Sequence, residues 1–262
     1  MDGKGSGSGR MEPLGRHSER LKRLRRRLNE RDRGEVIVDG GKLLDDLVRW
    51  GVRVHELYLD QENVDAGRAA TWLDAAERSF IVERSVLERL APTRHPQGVL
   101  AVVSEPAMPQ WSGREGCAVY LDRVQDPGNV GAVIRAAAGL GIASVLLSPG
   151  CADPFTPVAV RGSAAAVFRV PVEMDIERSL AIERVRRYDG EVWGTGAGGL
   201  SLDRWQPRRP LMVLLGSEGT GLSPAIVGAA DGMISVPVER EVESLNVAVA
   251  AGIIFQHLRT TA

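Results

Sequence analysis

Between Ile234 and Phe255 the chain reads ISVPVEREVESLNVAVAAGIIF. Apolar residues at alternate positions, Ile234, Val236 and Val238, give the period of a strand. A charged turn follows, Glu239 to Glu243. Ser244-Leu245-Asn246 then opens a run of small and aliphatic residues that reads as a buried helix. Ser244 or Asn246 can cap it, because a short polar side chain satisfies the free N–H groups of a first turn. Ala248, Ala250, Ala251 and Gly252 let another backbone come close. By itself the stretch describes a capped core helix after a strand.

Two further blocks stand upstream. Val213 to Pro224, VLLGSEGTGLSP, is a strand running into a glycine loop with one carboxylate, Glu218. Leu121 to Leu147 carries Asn129, Gly131 and Arg135 as N-x-G-x-x-x-R. In this order and spacing the three blocks resemble the SpoU (TrmH-like) family of RNA ribose 2′-O-methyltransferases in the SPOUT class. The likeness covers Ala118 to Leu258 strongly and Arg33 to Val103 more weakly.

The segments between these blocks alternate strand and helix. Strands are expected at 36–38, 54–59, 80–82 and 98–103, and helices at 43–48, 66–77 and 85–90, with Gly51 as a C-cap and Pro92 as a stop. That is a small α/β layer. With TRHPQGVLAVV at its end, it resembles the L30e-like RNA-binding domain found ahead of SpoU catalytic domains. Pro106 to Gly116, with two prolines and two glycines, is expected to be a linker. Beyond it, strands are expected at 118–122, 144–147, 192–195, 211–215 and 234–236. Helices are expected at 129–140, 158–166 and 176–188. Continuous aliphatic strands point to a parallel sheet buried on both faces. The expectation is therefore an α/β chain of four parts: a flexible tail (1–15), a basic arm with an L30e-like domain (16–105), the linker (106–116) and a parallel-sheet SPOUT domain (117–262). Knots are essentially absent from proteins; the trefoil knot expected at the C-terminus comes from the resemblance alone.

Composition narrows the partners. Hydrophobic residues make up 44%, enough for a core, and the net charge is −1, so any affinity for nucleic acid must be local. One basic run stands out, Arg16 to Arg33, with Leu21, Leu24 and Leu28 at helical spacing. It reads as an arm for RNA phosphates, with Arg23 and Arg26 as contacts, against the plain alternative of a solvated helix. Two cysteines, Cys117 and Cys151, are too few for a disulfide framework and fit a reducing cytosol. The apolar runs are too short for a membrane span. No signal peptide is evident, so a cytoplasmic protein is expected. The Gly/Ser-rich opening, MDGKGSGSGR, reads as a flexible tail.

Two glycine runs invite other readings. Gly194 to Gly199, GTGAGG, fits G-x-G-x-x-G after a strand, but a dinucleotide site needs a helix to open at once. LSLDRWQPRRP is a poor helix, so an oxidoreductase reading fails there. Gly216 to Gly221 lacks the Lys-Ser/Thr pair of a P-loop. None of the histidines (His17, His55, His95, His257) lies in a motif, and no residue set has metal-ligand spacing.

The resemblance implies S-adenosyl-L-methionine as methyl donor, held by Thr195, Leu215, Gly216, Gly221, Val236, Leu245 and Ala250, with no metal. From the residues alone, the glycines permit close backbone approach to a ligand, while the leucines and valine read equally as core. Arg135 is the leading catalytic candidate. A free guanidinium stays protonated above roughly pH 12, so a cationic clamp on phosphate and developing alkoxide suits it better than a general base. On a helix its side chain leans toward Asn129 over Gly131, and Asn129 is expected to orient it. Glu218 either holds Arg135, accepts a proton, or is a structural loop carboxylate. Ser244 and Asn246 contact substrate or only cap the helix. Three positions depart from the family: Arg240 and Ala165 stand where glycine is usual, and Ala248 where serine is frequent. The expected protein is a homodimeric RNA 2′-O-methyltransferase acting on ribosomal RNA. The alternatives are a tRNA 2′-O-methyltransferase or a non-catalytic RNA-binding or ribosome-assembly protein on the same scaffold.

Overall fold

The computed structural model describes residues 11–60, 62, 65–92, 96–217, 219, 221–239 and 244–261. The chain forms two compact units. One runs through Pro106 and takes in Phe155–Arg161; the other holds Ala107–Pro154 and the chain from Gly162 onward.

The first unit is built from β1 (Glu12–Leu14), α1 (Glu19–Asn29), β2 (Glu35–Asp39), α2 (Gly41–Arg49), β3 (Val54–Leu59), α3 (Ala66–Ala75), β4 (Ala76–Val82), α4 (Arg84–Leu90) and β5 (Val99–Ser104). Its five-stranded sheet has the order β1-β4-β3-β5-β2 and is mixed: β5 runs antiparallel to β2 and β3, and β4 parallel to β3 and β1.

Three expectations change here. The supposed tail of residues 1–15 contributes a strand, because Glu12–Leu14 pairs with Phe80–Val82. Arg16 secures it by a two-pronged bond to Glu83. The basic segment is not a free arm. Ser18 caps α1, and Leu21 and Leu24 are buried among Tyr58, Phe80 and Leu100. Two of its arginines turn inward: Arg27 is 6% exposed and pairs with Glu56, Glu35 and Asp32, and Arg20 also pairs with Glu56. A buried carboxylate must be paired to be tolerated, so these charges are used up in the fold. Arg23 and Arg26 remain exposed. The helix expected to reach Glu77 stops at Ala75, because Ala76 already pairs with Val54 of β3. Sheet pairing overrides local propensity.

The second unit comprises β6 (Cys117–Asp122), α5 (Pro127–Leu140), β7 (Ser144–Leu147), β8 (Val172–Glu173), α7 (Arg178–Arg186), β9 (Glu191–Ser201), β10 (Leu211–Gly216), α8 (Pro224–Val227), β11 (Gly232–Ser235) and α9 (Val247–Thr260); α6 (Pro157–Gly162) lies across the chain boundary at Arg161. Its six strands are all parallel, in the order β11-β9-β10-β6-β7-β8. Every residue of β6 is buried, as a strand covered on both faces requires. Tyr120, Leu146, Met212 and Leu214 form its core, and each such side chain contributes about 1.5–3 kcal/mol by leaving water.

The linker also proves structured. Trp111 is buried, its backbone N–H donates to Glu173 (2.9 Å), and its indole N–H donates to the Glu115 carbonyl (2.9 Å). Residues from Ala107 therefore belong to the second unit. GTGAGG lies in the middle of β9, with only a three-residue 3-10 turn after it and not the helix a dinucleotide site needs. Its glycines admit β11: a Cβ on Gly199 would lie 2.6 Å from the Met233 carbonyl oxygen. The helix expected to reach Ala166 ends at Gly162, where a Cβ would sit 3.1 Å from the Gly128 carbonyl oxygen. Ala164 and Ala165 follow with positive φ (49° and 62°), so Ala165 does adopt the backbone that glycine usually takes.

Candidate active site

The middle of β9, the carboxyl ends of β10 and β11 and the amino end of α9 enclose one cavity of about 340 Å³. Thr195, Leu215, Gly216, Gly221, Val236, Leu245 and Ala250 all line it, as does Ser244. Residues from three distant parts of the chain thus meet at the edge of a parallel sheet where ligands of α/β folds bind. The volume suits a small organic molecule. Gly196, Ala197, Ser217 and Ile254 line it as well and were not anticipated. The glycine run at 194–199 signalled the first two; Ile254 sits on a helix face that sequence alone assigns to core.

The cavity owes its shape to glycine. Gly216 ends β10, and a Cβ there would lie 2.2 Å from the carbonyl carbon of Gly221. The loop between them folds back, with the Gly221 N–H donating to the Ser217 carbonyl (2.8 Å) and Gly221 at φ 62°. Gly219 meets nothing within 4 Å. The Thr195 hydroxyl is spent on the sheet, donating to the Leu214 carbonyl (3.0 Å).

Asn246, not Ser244, caps α9: its side-chain oxygen accepts from the N–H groups of Ala248 (2.9 Å) and Val249 (3.4 Å). Its amide N–H donates across to the Asn129 side-chain oxygen (3.0 Å). Asn129 lies in the first turn of α5, whose cap is Asp126, an acceptor for the Asn129 N–H at 2.7 Å, with Pro127 opening the helix. Arg135 lies two turns on. It is exposed and makes no hydrogen bond or ion pair with any described residue. The expected contact between Arg135 and Asn129 is therefore absent among the described residues. Gly131 is buried, and the Cβ of Gly162 would come within 3.6 Å of its Cα, so it serves helix packing rather than clearing a path for the guanidinium. Glu218 and Arg240 lie outside the described residues.

Other reactive groups are held inert. Burial pushes the Cys117 thiol up to about 12 and raises that of Cys151. Burial, helped by the charge of Asp122, pushes the Tyr120 phenol up to about 12. None of these serves as an anion near neutral pH. His55 bonds to Ser104 and His257 to the Trp205 carbonyl, neither in the cavity; His95 lies outside the described residues. No group of three candidate metal ligands gathers among the described residues. No helix among them is long and apolar enough to cross a membrane.

An all-parallel α/β sheet with a glycine-shaped cavity at its carboxyl edge is the architecture of SPOUT methyltransferases. The model of the SpoU rRNA Methylase family matches residues 116–256, and that of the MRM3-like substrate binding domain matches residues 19–101. The chain belongs to the SpoU rRNA Methylase family, a family of RNA 2′-O-methyltransferases. It is 28% identical to the 23S rRNA (guanosine(2553)-2'-O)-methyltransferase RlmP of Bacillus subtilis, over 85% of this chain and 88% of that one. It is 27% identical to an uncharacterized tRNA/rRNA methyltransferase of Synechocystis, over 91% and 89%. Among solved structures it resembles the SpoU methyltransferase AviRb of Streptomyces viridochromogenes in complex with AdoMet (TM-score 0.81, 26% identity, 93% of this chain and 98% of that one).

Proposed function

We propose that this chain transfers a methyl group from S-adenosylmethionine to a ribose 2′-oxygen of ribosomal RNA, as a cytoplasmic homodimer. The observation that carries the reading is the convergence of Thr195, Gly216, Gly221, Val236, Leu245 and Ala250 on one cavity, with Asn246 joining its rim to Asn129. The apolar, glycine-shaped wall fits an adenosyl group. The donor supplies a sulfonium-bound methyl, so the chain's own task is to align a hydroxyl and manage its proton.

Arg135 is exposed and makes no ion pair among the described residues, so it is available to grip an RNA phosphate and to stabilise the developing alkoxide. Asn129, fixed by Asn246, sets the position of the helix that carries it. Ser244, which lines the cavity, is the proposed contact to the acceptor ribose. Glu218 is the proton acceptor or a partner of Arg135. Alignment of this kind removes about 7–11 kcal/mol from a substitution barrier at its best.

Ribosomal RNA is favoured over tRNA by the activity of the Bacillus relative and by the MRM3-like domain. Arg23 and Arg26, exposed on α1, are its proposed phosphate contacts. Val249 (52% exposed) and Ile253 (39%), one turn apart on α9, support self-association through that helix. A trefoil knot in the segment from β10 to α9 accompanies the reading. The test is transfer of labelled methyl from S-adenosylmethionine to total rRNA and total tRNA, beside Arg135→Ala. The expected outcome is a 2′-O-methylated nucleotide in rRNA, lost by about 10²–10³-fold in the variant. Labelled tRNA alone would redirect the substrate, and absence of donor binding would leave an RNA-binding scaffold.

A further inference from the structure

Asp122 is the last residue of β6, level with Gly216 of β10 in the sheet register. It is a carboxylate only 6% exposed, which is costly unless bonded. One oxygen accepts the backbone N–H of Ser223 (3.2 Å), a residue 101 positions away. The other partner is the neighbouring Arg123, 3.3 Å away, whose side chain is 47% exposed. Arg123 is held at φ 54° by its N–H donating to the Ser148 hydroxyl (2.9 Å), a left-handed turn that brings its guanidinium back over the carboxylate.

Ser223 ends the glycine loop that forms one wall of the cavity. The Gly221-to-Ser217 bond closes that loop on itself. The Asp122–Ser223 bond ties the loop's end to β6, and the same strand leads through Arg123 to Asp126 into the helix of Asn129 and Arg135. We propose that Asp122 is a positioning residue for the methyl-donor pocket, holding the downstream foot of the Gly216–Leu222 loop against β6 in register with the catalytic helix. This rests on the donor reading above.

The test is calorimetric S-adenosylmethionine affinity together with steady-state methyl transfer, on the full chain. Asp122→Ala is expected to weaken donor affinity about tenfold or more, with the acceptor-RNA KM near that of wild type. Asp122→Asn keeps the acceptor oxygen and is expected to stay within about threefold of wild type. Ser223→Pro, at a φ of −64° that proline accepts, replaces the N–H with a ring methylene that cannot donate and that crowds the Asp122 carboxylate, and it is expected to weaken donor affinity at least as much as Asp122→Ala. It guards against an alanine variant that fails to fold. Undiminished donor affinity in folded Asp122→Ala or Ser223→Pro overturns the assignment, as does an equal loss in Asp122→Asn. A wild-type chain that binds no donor overturns the function reading itself, and this assignment with it.

Discussion

The Asn246 side-chain amide donates to the Asn129 side-chain oxygen at 3.0 Å, joining residues 117 positions apart in the chain. One asparagine caps the helix that walls the cavity; the other lies in the first turn of the helix that carries Arg135. The bond sets the position of one helix against the other, and two substitutions separate its roles. Asn246→Asp keeps the cap but cannot donate to Asn129, so thermal stability is expected to hold while turnover falls about tenfold or more. Asn246→Ala loses both, with an added cost of about 1 kcal/mol visible in the melting temperature.

Gly216→Ala forces a Cβ to within 2.2 Å of the Gly221 carbonyl carbon. The loop must shift, costing about 1–3 kcal/mol of stability and most of the donor affinity. Gly219→Ala meets nothing within 4 Å and is the matched control, expected to bind donor like the wild type in calorimetry.

The arginines of α1 divide into two sets. Replacing exposed Arg23 and Arg26 together with glutamine is expected to lower the slope of log affinity for RNA against log salt by about 1 to 2, with no change in folding. Arg27→Gln strips the charge that offsets Glu56 and Glu35 and is expected to cost about 3–5 kcal/mol in chemical denaturation.

Glu83 reports the docking of β1. The side-chain hydrogen bond from Arg16, with that from Ser85, lowers its carboxyl from 4.5 to about 2. A depressed acid contributes stability that is fully present above its unfolded value and is lost as pH falls through the folded one. The wild type is therefore expected to lose stability between pH 4.5 and about 2 more steeply than Glu83→Gln. Melting temperatures of the two across that window would decide it, and parallel curves would refute it.

Much of the architecture was legible along the chain. The aliphatic runs at 118–122, 144–147 and 211–215 are the buried strands β6, β7 and β10, because a strand covered on both faces has no polar side to show. Where the reading failed, a distant partner decided. Glu12–Leu14 looked like tail until Phe80–Val82 supplied a strand edge. Trp111 looked like linker until Glu173 met its backbone. The strand expected at 192–195 runs on through GTGAGG to Ser201, because Met233 of β11 packs so close that a Cβ on Gly194 or Gly199 would lie within 2.6 Å of it.

What the sequence determined by itself was most of the alternation of strands and helices, the helix capped by Asn246, and the three motifs whose chemistry points to methyl transfer. These depend on sterics and periodicity between near neighbours, which are written in the chain directly. Only the tertiary structure decided that Arg135 is left without a described partner while Asn129 pairs with Asn246, that Arg27 is interior while Arg23 is not, and that Asp122 holds Ser223. Each of those depends on which strands lie side by side, a choice made by the burial of whole elements that no local pattern records.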